Sequence, residues 1–153
     1  PNLIVTQTFS KAWGLAGARL GTAFMSKAMS EVFHRVKAPF NVSVLTEDLV
    51  MRSLARPQGV AQSVDGILQE RGRVSEALKA LHPLISDVYP SDANFLLFRA
   101  GGAKALCETI ARESNVVVRY RGSMLHCSDC VRVSIGTRAE NDRFLSALKK
   151  ALA

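Results

Sequence analysis

No run of apolar residues approaches the ~18 consecutive positions a membrane span needs, although hydrophobic residues make up 48% of the 153-residue chain. A charged, apolar leader is also missing: Pro1 opens directly into a strand-like run. A start methionine is absent too, so the chain reads as the C-terminal portion of a longer protein. Three cysteines, an odd count, argue against a disulfide framework. Cys127 and Cys130 form a Cys-x-x-Cys beside His126, but no second pair follows, and His34 and His82 lie far off without ligand spacing. Metal binding is therefore not expected, and a reducing, cytoplasmic compartment is. Acidic residues are the scarcer charge, 13 against 20 basic, for a net +7. Lys and Arg are nonetheless scattered, without a basic run, and aromatics are only 7%. This pattern predicts a solvated basic surface that binds neither nucleic acid nor membrane. Internal repeats and low-complexity segments are lacking as well.

What is present is concentrated between Thr6 and Gly21: T-Q-T-F-S-K-A-W-G-L-A-G-A-R-L-G. The apolar Leu3–Val5 feeds a hydroxyl-rich turn, then a single lysine, with an arginine eight residues on and glycines at 14, 17 and 21. A lysine amine forms an imine with an aldehyde. Hydroxyls and a planar guanidinium hold a phosphate. Glycines let the backbone turn and approach a ligand closely. Lys11 with Thr8, Ser10 and Arg19 is thus the donor set a pyridoxal 5'-phosphate site requires. Trp13, the lone tryptophan, is read as core.

Leu3–Thr8 reads as a buried strand of parallel type, with Lys11 beyond its carboxyl end. Leu20–Met25 reads as a second strand and Ser26–Val36 as a helix. Helices are expected over Ser43–Ala55 and Val60–Leu81. The latter carries a stripe of Val60, Val64, Ile67, Leu68, Val74, Leu78 and Leu81, weakened by Gly66 and Gly72. Ala93–Phe98 is strand-like, a helix follows Gly101–Gly102 to Ser114, and Val116–Arg119 and Val131–Ile135 are strands. A final helix opens on Thr137-x-x-Glu140, a capping box, and buries Phe144, Leu145, Leu148 and Leu152. The order β-β-α, two helices, then β-α-β-β-α predicts an α/β remnant followed by an α+β unit with helices on a small sheet.

The Thr8–Gly21 segment resembles the lysine motif of fold-type I pyridoxal phosphate aminotransferases, and within them is most similar to histidinol-phosphate aminotransferases. The resemblance continues through Lys37-Ala-Pro-Phe-Asn41-Val-Ser43, Ser91-Asp-Ala-Asn94-Phe95, Val116-Val-Val-Arg119 and Val131-Arg132-Val-Ser-Ile-Gly136-Thr137. It implies residues 1–36 as the end of a large cofactor domain and 37–153 as a small C-terminal domain. It implies Lys11 as the cofactor aldimine lysine and proton shuttle, desolvated beside Arg19. Arg132 would bind the substrate carboxylate, Arg119 the substrate phosphate, and Asn94 would orient the substrate. Amino-acid and 2-oxo-acid substrates and a homodimer follow from the same resemblance. So does inactivity of this chain alone, since a pyridine-nitrogen carboxylate and a ring-stacking aromatic would lie upstream. Aromatic amino-acid aminotransferases and phosphothreonine decarboxylases are the neighbouring alternatives.

Overall fold

A computed structural model describes residues 2–153. The chain divides into two compact units, Pro1–Val64 and Asp65–Ala153.

In the first unit, β1 (Val5–Thr8) and β2 (Gly21–Phe24) form a two-stranded antiparallel sheet, with Val5 opposite Phe24 and Thr8 opposite Gly21. The expectation of a buried, parallel strand is corrected here. Both strands are exposed along their length, and Leu3 is 71% exposed. The reason is connectivity: the segment between the strands loops straight back through a short 3₁₀ turn, Ala16–Ala18. A parallel pairing needs a crossover of a dozen or more residues, usually a helix. Helices α1 (Lys27–Val36) and α2 (Val44–Leu54) begin where serines can cap them. Ser26 accepts from the Met29 N–H at 3.4 Å and Ser43 from the Thr46 N–H at 3.1 Å, satisfying first-turn donors that would otherwise be free. Phe9, Ala18 and Val50 form a small core, flanked by Trp13, Leu15 and Leu20.

Helix α3 (Pro57–Lys79) starts on its proline, whose missing N–H costs nothing in a first turn. Its Val74 and Leu78 are fully buried, while Leu68 leaves the expected stripe and is exposed.

The second unit contains a four-stranded antiparallel sheet in the order β3-β4-β6-β5, made of β3 (Ile85–Val88), β4 (Phe95–Ala100), β5 (Arg119–Tyr120) and β6 (Cys130–Ser134). Strand β4 alternates: Leu96, Phe98 and Ala100 are buried, whereas Phe95, Leu97 and Arg99 are half-buried. That period of two gives the sheet one core face and one open face. The core face packs with Val74 and Leu78 of α3, with Leu106 and Ile110 of α4 (Ala103–Ser114), and with Phe144 and Leu148 of α5 (Arg138–Leu152). The α+β expectation is met. Strand β3 had not been anticipated, and of Val116–Arg119 only Arg119 is in a strand. No described helix is long and apolar enough to cross a membrane.

Candidate active site

Strand β1 ends at Thr8, and the chain turns at once. The Thr8 hydroxyl donates to Ser10 Oγ at 2.9 Å, and the Ser10 N–H donates back to Thr8 Oγ1 at 3.1 Å. Lys11 follows on the turn, with its carbonyl accepting from the Gly14 N–H at 2.9 Å. Gly14 has φ +65°, the left-handed conformation glycine adopts without penalty. Beneath the turn Phe9 is buried against Trp13 in an edge-on pair, 5.9 Å between ring centroids. Trp13 itself is half-buried and packs against the small core instead of lying within it, which corrects its reading as core.

The loop closes when the Leu15 N–H reaches the Phe9 carbonyl at 3.0 Å and the Phe9 N–H reaches the Leu20 carbonyl at 3.2 Å. Because Thr8 pairs with Gly21, this closure returns Arg19 to the same hairpin end as Ser10. A Cβ on Gly21 would stand 2.9 Å from the Gln7 carbonyl oxygen, so the strands approach this closely only with glycine there. Arg19 has φ 52° and ψ 42°, left-handed backbone that is uncommon for a long side chain and recurs at ligand sites. One arm of its fork donates to the Ala16 carbonyl at 3.0 Å. Thr8, Ser10, Lys11 and Arg19 thus share one loop. Lys11 is exposed, left open to water by the described residues. It has no ion-pair partner among the described residues.

In the second unit Arg119 on β5 and Arg132 on β6 are register partners. Direct antiparallel partners project to the same face, so two guanidinium groups stand side by side. They line a cleft of about 500 Å³ together with Val116–Val118, Gly136 and Phe144. The Arg132 Nε is buried without a hydrogen-bond partner, and its guanidinium lies over the Phe95 ring, 5.2 Å from the centroid. Asn94 immediately precedes β4, and its carbonyl accepts from the Ile135 N–H at 2.9 Å.

Two supports were not anticipated from sequence. The Ser91 hydroxyl donates to the Phe95 carbonyl and accepts from the Ala93 N–H at 3.1 Å, while Arg71 Nη1 donates to the Ala93 carbonyl at 2.8 Å. The second is Asn141, a polar side chain only 2% exposed. Its amide donates to Glu70 at 2.8 Å and to the Gly136 carbonyl at 3.0 Å, and accepts from the Gly136 N–H at 3.0 Å. Glu70 also receives two bonds from Arg73, which pairs in turn with Asp142 at 2.7 Å. Hydrogen bonds from Arg73, then Asn141, hold the Glu70 carboxyl down from 4.5 to about 2. The network fixes Gly136 just after β6. An asparagine directly behind a capping box was the available sequence signal.

Cys107, Cys127 and Cys130 are free thiols. Among the described residues no group of three or more His, Cys, Asp or Glu is arranged to hold a metal.

The sequence model of the family described as "Aminotransferase class I and II" matches residues 1–148. This chain belongs to that aminotransferase family. It is 42% identical over 149 residues to a histidinol-phosphate aminotransferase of Cytophaga hutchinsonii, covering 97% of this chain and 42% of that protein. This aminotransferase chain therefore spans well under half the length of that curated relative. In structure it resembles a histidinol-phosphate aminotransferase of Sinorhizobium meliloti in complex with pyridoxal-5'-phosphate. The two share a TM-score of 0.86 and 26% identity over 99% of this chain and 41% of that one. It also resembles an L-threonine-O-3-phosphate decarboxylase of Porphyromonas gingivalis, with TM-score 0.87 and 25% identity over 99% and 47%. The mixed helix-and-sheet fold expected from the sequence is that of these relatives.

Proposed function

We propose that this chain is the C-terminal part of a pyridoxal 5'-phosphate-dependent enzyme, and that the complete protein moves an amino group between histidinol phosphate and 2-oxoglutarate. The observation that carries this reading is the open Lys11 amine placed directly after the mutually bonded Thr8–Ser10 hydroxyls, in a chain similar to histidinol-phosphate aminotransferases.

The residues fit the cofactor. Thr8 Oγ1 and Ser10 Oγ are 2.9 Å apart, close enough to converge on one phosphate oxygen. Arg19 keeps fork nitrogens beyond the one on Ala16, and bidentate pairing with phosphate suits them. Nothing stands within 4 Å of where a Cβ would sit at Gly14 or Gly17, leaving room on that side of the loop. When bound, the cofactor supplies an electron sink for a bond broken at the substrate carbon. In this reading Lys11 Nζ attaches the cofactor and, once released, carries a proton to and from the substrate carbon. Thr8, Ser10 and Arg19 hold the cofactor phosphate. Arg132 holds the substrate carboxylate as a fork, Arg119 the substrate phosphate, and Asn94 orients the substrate between them.

Residues 1–36 belong, in the same reading, to a larger cofactor domain and 37–153 to the small domain. The complete protein works as a cytoplasmic homodimer, and the 153-residue chain by itself does not transaminate. A second reading, a phosphorylated amino-acid decarboxylase, is favoured by the likeness to the P. gingivalis enzyme. The two separate in a panel of histidinol phosphate, histidinol and phosphothreonine given to the complete protein. Glutamate formed from 2-oxoglutarate with histidinol phosphate alone supports the first reading. Carbon dioxide released from phosphothreonine contradicts it and establishes the second.

A further inference from the structure

The geometry points to Phe95 as the positioning residue of Arg132, the group that holds its guanidinium fork open toward a ligand carboxylate. The inference rests on the reading of Arg132 as a carboxylate site. Arg132 pairs with Leu97 across β4 and β6, and Phe95 pairs with Ser134. Phe95 is therefore the diagonal neighbour of Arg132 on the same open face, within reach of a long side chain. The Arg132 guanidinium carbon lies 5.2 Å from the centre of the Phe95 ring, inside the ~6 Å range of a cation–π contact.

The rest of the surroundings leave the fork without another anchor. Arg132 has no acidic partner among the described residues, and its buried Nε makes no hydrogen bond. Its cross-strand partner Arg119 carries the same charge and repels it. An aromatic face satisfies the cation without occupying its N–H groups, so these remain free to donate to an anion. An acidic partner would have occupied them. The ring itself is set by its backbone: Ser91 bonds the Phe95 carbonyl, and Arg71 on α3 fixes Ala93 two residues earlier. The Ser91-Asp-Ala-Asn94-Phe95 segment thus works as a mount for the aromatic ring.

The test uses the complete protein and the arginine Nε–H resonances in nitrogen-15 spectra, with Arg132 identified by loss of its signal in Arg132→Lys. Glutarate is the carboxylate probe. In the wild-type chain the Arg132 Nε–H resonance is shifted upfield by the ring and moves on glutarate addition. Phe95→Leu removes the upfield shift and weakens glutarate binding about two- to fivefold, the strength of an exposed cation–π contact. Phe95→Tyr, which keeps an aromatic face, retains both, whereas a merely space-filling role for Phe95 is met by leucine. Phe95→Leu that leaves the resonance and the affinity unchanged overturns the inference, as does a wild-type resonance without ring shift. A ring shift present and lost as described, with no response to glutarate in any variant, upholds Phe95 as the platform. It then sinks only the carboxylate reading of Arg132.

Discussion

Arg119 lies directly across from Arg132 on adjacent antiparallel strands, and neither has an acidic partner among the described residues. Like charges in direct cross-strand register oppose pairing. A bound anion removes the opposition. Inorganic phosphate is therefore expected to raise the melting temperature of the chain above that in chloride of equal ionic strength. Arg119→Gln loses most of that phosphate-specific increase and melts no lower than wild type in chloride. An equal phosphate response in the variant contradicts the paired-cation account.

Asn141 ties Glu70 to both backbone groups of Gly136 from a position 2% exposed. Asn141→Leu leaves the Gly136 N–H without its bond and is expected to cost about 1–3 kcal/mol. Urea unfolding followed by circular dichroism measures it. The comparison variant Asn115→Ala, at the exposed left-handed end of α4, costs less, because only backbone strain is involved.

The carboxyl of Glu70 is depressed in the fold from 4.5 to about 2. A folded pKa below the unfolded one stabilises the native state above the unfolded value. That stabilisation drains away as pH falls toward the folded value. Wild-type stability should accordingly decline between pH 4.5 and 2. Glu70→Gln, which takes up no proton there, shows a shallower decline over the same window. Parallel stability curves for the two proteins would remove Glu70 from the acid response.

Three glycines near Lys11 differ in what they require. A Cβ at Gly21 would sit 2.9 Å from the Gln7 carbonyl oxygen, while at Gly17 it meets nothing within 4 Å. Gly21→Ala is expected to part β1 from β2 and speed proteolysis within residues 2–24. Gly17→Ala leaves proteolysis unchanged. Gly14→Ala falls between the two, strained by its φ of +65° at about 1 kcal/mol.

Local chemistry was legible in the sequence where one residue determines it. The Thr137–Glu140 capping box forms in full, as its pattern suggested, and Ser26 and Ser43, read as first residues of helices, sit one position earlier as their caps. The clustering of Thr8, Ser10, Lys11 and Arg19 was likewise readable, whereas the alternating burial of β4 emerges only with the structure. Strand direction and burial were not. The apolar run before Lys11 looks the same whether its faces are covered or open, because composition does not reveal what else packs there. Strand β3 carries only Ile85 and Val88 as apolar residues, too few to show a period. The Phe95–Arg132 contact depends on β4–β6 register, which pairs residues far apart in the chain.

The central claim is that Lys11 carries pyridoxal phosphate. The most direct measurement is borohydride reduction of the cofactor-loaded complete protein, followed by mass-spectrometric mapping of the modified lysine, with Lys11→Ala alongside. The account predicts one phosphopyridoxyl group per chain, on Lys11, and none in the variant. Labelling spread over other lysines, or persisting at full stoichiometry in Lys11→Ala, would contradict it.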